Sequence, residues 1–131
     1  MAGYSGKPLY QKLGFKPGFQ IWARNAPAHY PELLAGAEDI TIAHGQSHDA
    51  VHLFCPNRAV LETELQSSIE ALRPGGMLWV SWAKKSSKLF SDVTEDTLRE
   101  VILPTGWVDV KVCAVDADWS GLKFLKRKSN A

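Results

Sequence analysis

Ala71-Leu-Arg-Pro-Gly-Gly-Met-Leu-Trp-Val-Ser-Trp82 is the stretch whose reading decides the fold. Proline cannot continue a helix, because it lacks the N–H donor and its ring clashes with the preceding turn. Two glycines then let the chain reverse where other residues are hindered. The apolar run that follows has the composition of a strand covered on both faces. The expectation is a helix stopped at Pro74, a tight reversal at Gly75 and Gly76, and a buried strand over Met77–Trp82.

The preceding segment supports this. Leu61, Leu65, Ile69 and Leu72 recur at steps of three and four, with Glu62, Glu64, Gln66 and Glu70 on the other faces, the pattern of an amphipathic helix. Asn57 stands where its cap belongs. Before it, Ala50-Val-His-Leu-Phe-Cys55 is a second mostly apolar run. Strand, helix and strand in this order make a parallel pair with a crossover helix.

Towards the N-terminus, Ser5 to Gly14 predicts a short helix with a capping Ser5, an early Pro8 and a terminal Gly14, Leu9 and Leu13 facing inward. Lys16-Pro-Gly18 is a turn, so residues 1–18 precede the first strand, Phe19–Arg24. A helix over Ala28–Ala35, ended by Gly36, and a short strand Ile40–Ile42 near a sheet edge follow. Towards the C-terminus, Thr94 opens a helix running to about Leu103, before Pro104 and Gly106 end it. Val108–Val115 and Leu122–Leu125, separated by the turn residues Asp116 to Gly121, predict a closing antiparallel hairpin. The fold class is therefore α/β, Rossmann-like, a mainly parallel sheet with helices on both faces and a C-terminal antiparallel hairpin. The expected organisation is a single domain over residues 1–131.

Composition agrees. The chain has 131 residues, 45% hydrophobic and 22% charged, enough for a core without staples. Fifteen Lys and Arg against fourteen Asp and Glu leave a net charge of +1, so no global field recruits nucleic acid or membrane. No apolar run reaches the roughly 18 residues of a membrane span, and the first residues lack a signal-peptide core. Cys55 and Cys113 have neither redox nor zinc spacing. The expectations are a cytoplasmic protein, no nucleic-acid or membrane partner, and no set oligomeric state.

A βαβ series that contains Leu72-Arg-Pro-Gly-Gly76 and closes in a hairpin resembles the class I, S-adenosylmethionine-dependent methyltransferase fold. Four segments, Gly3–Gly18, Asn25-Ala-Pro27, Leu78–Ser87 and Val108–Phe124, more closely resemble a bacterial domain-of-unknown-function family of small proteins with a methyltransferase-like Rossmann core. The resemblance implies a reduced class I core, with room for one strand–helix unit fewer, and transfers no chemistry. Such methyltransferases hold the cofactor on a glycine-rich loop after the first strand, yet no glycine lies between Phe19 and Ala35, and Pro27 removes a donor. Where an acidic residue receives the ribose, this chain has His44. Where amino methyltransferases carry a polar-Pro-Pro-aromatic run, it reads Cys55-Pro-Asn-Arg58.

Ligands of open α/β sheets settle outside the carboxyl ends of the strands, where strand order reverses. Three loops are expected there, offering Asn25, Asn57, Arg58, Trp82, Lys84 and Lys85 and no carboxylate, a set suited to an anionic ligand. The plain structural alternative makes Asn57 a helix cap and the lysines a solvated loop. Cys55 with His29 as base would be a catalytic pair, although a buried cysteine is the commoner state. His44, His48 and His52 are spaced by four, but Gly45 and Asp49 break helical sense, so no metal site is expected. Trp79 and Trp82, three apart on a strand, face opposite sides; Trp119 either packs on the sheet or meets a partner, and Lys126-Arg-Lys128 is a solvated tail. The expected function is non-catalytic binding of a small anionic molecule or a protein partner, with no catalytic residue, metal or cofactor. The alternative is an S-adenosylmethionine-dependent methyltransferase with a non-standard cofactor loop.

Overall fold

The computed structural model describes residues 7–45 and 47–128. Its centre is the parallel pair β3 (His48–Cys55) and β4 (Leu72–Ala83), joined by α3 (Arg58–Glu70). Beside β3 lie β1 (Gln20–Arg24) and the two-residue edge strand β2 (Thr41–Ile42), both parallel to it. Beyond β4 the hairpin β5 (Trp107–Ala114) and β6 (Trp119–Lys126) completes a six-stranded sheet ordered β2-β1-β3-β4-β6-β5, with β6 antiparallel to β4. The helices α1 (Leu9–Leu13) and α2 (Tyr30–Leu33) cover one face, α3 and α4 (Glu95–Ile102) the other.

Strand alternation builds two cores. Val51, Leu53, Cys55, Leu78, Val80 and Trp82 meet Leu61, Leu65, Leu98 and Ile102 on the α3/α4 face. Ala50, Phe54 and Trp79 meet Leu13, Tyr30 and Leu34 on the α1/α2 face. Trp79 and Trp82 thus point to opposite sides, as their spacing requires. Trp79 Nε1 donates to the Leu13 carbonyl at 2.9 Å and anchors the end of α1.

The stretch Ala71–Trp82 folds differently from the expectation. Helix α3 ends at Glu70, four residues before Pro74, and Leu72 already pairs with His48. Residues 73–76 then bulge out opposite Asp49 alone, before Met77 resumes the ladder against Ala50. Asp49 pins the excursion by accepting from Arg73 Nε at 2.5 Å and from the Gln20 N–H at 2.8 Å. Gly76 is required by close approach: a Cβ there would lie 3.0 Å from the Arg73 carbonyl and from Leu72, and 3.2 Å from the Asp49 carbonyl. The bulge lets a strand start without a separate turn, and the period of the preceding helix hides where it stops.

Other boundaries shift by less. Helix α2 is a single turn rather than eight residues, since Pro31 and the cap at Leu34 leave room for no more. The expected cap Ser5 lies outside the described residues. Strand β3 begins two residues earlier than the apolar run. Trp119 opens β6 instead of sitting in the turn, and its ring is buried edge-on against Phe54 at 5.1 Å. Among the described residues, no helix is long and apolar enough to cross a membrane.

Candidate functional site

Strand order reverses between β1 and β3, and the protein fills that crevice with its own side chains. Asn25 follows β1 at φ 57°, a left-handed conformation that Asn tolerates better than most residues. Its Nδ2 donates to the Phe54 carbonyl at 3.2 Å and to Glu64 Oε1 at 3.0 Å, stitching the β1 end to β3 and α3. Arg24 reaches the same helix, donating to the Glu64 carbonyl at 3.0 Å, Ser67 Oγ at 2.7 Å and Ser68 Oγ at 2.8 Å, and pairing with the Glu64 carboxylate at 3.2 Å. Its guanidinium also lies 4.2 Å above the Trp22 ring.

Two further residues of the expected anion set are engaged internally. Asn57 Oδ1 accepts from the Val60 N–H at 2.9 Å, capping α3. Arg58 pairs with Glu62 at 2.8 Å and Glu100 at 2.6 Å, and its backbone N–H donates to Asp92 at 2.9 Å. These carboxylate hydrogen bonds hold the Arg58 guanidinium above its ordinary range.

Trp82, Lys84 and Lys85 come together elsewhere, at the carboxyl end of β4. With Thr94, Glu95, Asp96 and Arg99 they line an open cleft of about 460 Å³. Thr94 caps α4 through a reciprocal box with Thr97, so the first turn of that helix is fixed beside the lysines. Arg99 engages Glu95, Asp96 and Asp109. Lys84, Lys85 and Arg99 against Glu95 and Asp96 leave the residues that line the cleft with one net positive charge. Lys84 Nζ donates to the Asp116 carbonyl at 2.8 Å; Lys85 is exposed.

The expectation of an end without carboxylates is corrected. Strand β5 runs parallel to β4, so the β5–β6 turn brings Asp116 and Asp118 to the ligand end of the sheet. Asp116 meets His29 Nε2 at 2.9 Å and accepts from the Asp118 and Trp119 N–H groups, each at 2.8 Å. Burial pushes its carboxyl up, but the bonds from His29 and the two amides outweigh that and hold it below the usual range. Ser87 donates to Asp118 at 2.8 Å, fastening the loop after β4 to the same turn.

The pairing of Cys55 with His29 does not form. Cys55 faces the α3/α4 core, fully buried, where burial and then the Glu64 charge push its thiol up to about 12. His29 is the partner of Asp116 on the opposite side of the sheet end. Only His52 separates from the other two histidines, since the His44 and His48 rings stack with centroids 6.4 Å apart. His44 lies over Trp22, their rings 4.2 Å apart, and His48 accepts from the Gly45 N–H at 2.9 Å. His52 enters the α1/α2 core, and no group of three His, Cys, Asp or Glu among the described residues is placed to hold a metal ion.

Composition does not reveal the polar chain through that core. Tyr30 Oη and His52 Nδ1 are 2.8 Å apart, and His52 Nε2 and Ser81 Oγ are 2.6 Å apart, all three residues buried. Burial lowers His52 to about 3 and raises the Tyr30 phenol. A histidine and a serine at inward positions of facing strands were the available signal, since buried polar groups require partners.

No protein-family model matches the chain, and no curated protein matches it. Solved structures do. A 1,6-didemethyltoxoflavin-N1-methyltransferase from Burkholderia thailandensis, with its substrate and S-adenosylhomocysteine bound, is 14% identical at a TM-score of 0.59, over 92% of this chain and 75% of that one. A SAM-dependent methyltransferase from Aquifex aeolicus is 12% identical at 0.60, over 88% and 86%. The N-methyltransferase NodS from Bradyrhizobium japonicum is 14% identical at 0.55, over 83% and 85%. The fold is thus methyltransferase-like, and at these identities the likeness extends to the fold alone. The closer resemblance to one small bacterial family gains no support from these matches.

The fold implies an adenosyl cofactor. An adenosyl cofactor needs close backbone approach at the β1 end and open space between β1 and β3. Here Asn25 bridges that space and Arg24 ties its flank to α3. The second strand ends at Ile42, and the chain returns to β3 within five residues, past His44 rather than an acidic side chain. These residues do not fit the cofactor in its usual seat.

Proposed function

We propose that this methyltransferase-like domain binds a small phosphate-bearing anion in the cleft beside β4, with Lys84 and Lys85 supplying charge and Trp82 the apolar wall. The observation that carries this reading is the contrast in pairing. At the switch point Arg24, Asn25, Asn57 and Arg58 all bond to the protein, whereas Lys85 is exposed and Lys84 holds only a carbonyl. An ammonium on a neutral carbonyl keeps its full charge for a ligand. Binding needs no catalytic residue, metal or resident cofactor.

A thermal-unfolding panel tests it. Inorganic phosphate and nucleoside phosphates at one hundred times their dissociation constants stabilise the protein by about 2.7 kcal/mol, and Lys84→Ala with Lys85→Ala abolishes the response. A flat panel with the wild-type chain rejects the reading.

The second reading is S-adenosylmethionine-dependent methyl transfer with a non-standard cofactor loop. The methyltransferases that match this fold favour it over binding alone, while the bridged crevice weighs against it. Under this reading S-adenosylhomocysteine raises the melting temperature, and Lys84→Ala with Lys85→Ala leaves that rise unchanged.

A further inference from the structure

The cleft at the carboxyl end of β4 makes no use of the Arg73–Gly76 bulge, which lies at the amino end of the same strand. That bulge lines a second cleft, of about 310 Å³. Ile69, Leu72 and Trp107 give it apolar surface continuous with the α3/α4 core, and Pro74 and Gly75 form its bulge side. The bulge side is held in place from within the fold. Gly75 has φ 81°, a conformation that a side chain would strain. Arg73 Nε and Nη1 donate to the Asp49 carboxylate and the Pro74 carbonyl at 2.5 and 2.8 Å.

Two cations stand at this cleft, Arg73 and Lys126. Lys126 is the direct partner of Trp107 across the β5–β6 ladder, so both side chains lie on the α3/α4 face. The Arg127 N–H donates to the Gly106 carbonyl at 2.7 Å and fixes the end of β6 there. Arg73 shares its charge with Asp49, whereas Lys126 is exposed and meets no carboxylate among the described residues. No carboxylate lines the cleft, and the nearby Glu70 lines a different one, with Trp22 and His44.

Trp107 adds a neutral donor. It is 6% exposed, and its indole N–H has no acceptor among the described residues. His48 Nδ1 is the polar side-chain atom that is both sealed from solvent and without a partner, so solvent still reaches the indole nitrogen. A nearly buried donor without a partner costs stability, and an acceptor brought into the cleft removes that cost.

The lining sets the chemistry of a ligand. Beyond the two cations and the indole it holds no polar side chain, so a sugar or nucleoside would bury hydroxyls without partners. One anionic group is met by the cations and the indole, and the rest of the ligand must be apolar. The volume lies at the small end of the roughly 300–1,000 Å³ of ligand pockets.

We propose that this cleft binds a small carboxylic acid with an apolar tail, its carboxylate at Lys126, Arg73 and the Trp107 indole and its tail along Ile69, Leu72 and Pro74. The site is separate from Lys84 and Lys85, and it fills whether or not a phosphate compound occupies theirs.

Titration of the full chain with octanoate, followed by amide and indole resonances in NMR, tests this. Octanoate is expected to give saturable shifts at the Gly75 amide and the Trp107 indole and none at the Lys85 amide. Octanol, which lacks the charge, and acetate, which lacks the tail, give neither shift. From butyrate to octanoate the affinity rises by up to about fourfold for each methylene buried. Lys126→Gln, at an exposed position where folding is not at stake, weakens octanoate about tenfold and leaves the melting temperature of the free chain in place. No saturable shift, an equal response to octanol, shifts confined to the Lys85 end, or an unaltered affinity in Lys126→Gln would each overturn the proposal.

Discussion

Two crevices open at the carboxyl end of this sheet, and they differ in what their polar groups are doing. Between β1 and β3, where doubly wound proteins usually seat a ligand, Arg24 and Asn25 spend their donors on Phe54, Glu64, Ser67 and Ser68. Beside β4, Lys84 and Lys85 line an open cleft, Lys85 exposed and Lys84 bonded to a neutral carbonyl. A polar group already paired inside the fold stabilises it and is costly to release to a ligand. On the proposed reading the ligand sits one strand along from the usual seat while the architecture is kept.

The largest expected effect breaks the filled crevice. Arg24→Ala removes an ion pair and three hydrogen bonds from a mostly buried side chain, and should cost about 2–3 kcal/mol in chemical denaturation. A loss within experimental error would mean that the network does not close the crevice.

Acid unfolding sharpens the same distinction in the core. His52 has its folded value lowered to about 3 by burial, from an ordinary 6.5. The unfolded chain therefore binds a proton that the folded one refuses, and stability falls as pH drops from 6.5 towards 3. The slope there is about 1.4 kcal/mol per pH unit for one proton. Asp49 and Asp116 are also depressed, so their contribution is present above the usual carboxylate range and lost only below it. His52→Gln should flatten the slope between pH 6 and 4; an unchanged slope would assign it to another group.

Asn25→Ala comes next, at about 1 kcal/mol for its lost hydrogen bonds, with Asn25→Gly costing less because glycine accepts the positive φ. The smallest effect on stability is in the open cleft. Lys85→Ala should stay within about 0.5 kcal/mol of the wild type while weakening the response to phosphate compounds. A Lys85 variant that destabilises as much as the Asn25 one would erase the contrast.

Much of the fold was legible because period and capping agree. Asn57 with Leu61 and Leu65 sets α3, and Thr94 with Glu95 and Asp96 sets α4. The Leu72–Gly76 run was misread because a bulge and a turn use the same residues; only the pairing of Leu72 with His48 separates them. The site was legible in part. Sequence placed Asn25, Asn57, Arg58, Trp82, Lys84 and Lys85 at one end of the sheet, but not which of them the fold consumes. Their partners Glu64, Glu100 and Asp116 lie 39, 42 and 32 residues away from Asn25, Arg58 and Lys84, beyond the reach of local pattern. Asp116 and Asp118 were missed at this end because the hairpin carries them back to it.

Titration of the wild-type chain with S-adenosylhomocysteine and, separately, with nucleoside phosphates, followed by calorimetry, tests the central claim most directly. The bridged crevice predicts no heat from S-adenosylhomocysteine, and saturable binding of a phosphate compound that Lys84→Ala with Lys85→Ala removes. Saturable binding of S-adenosylhomocysteine, undisturbed by those two substitutions, would contradict the account and restore the crevice between β1 and β3 as the working site.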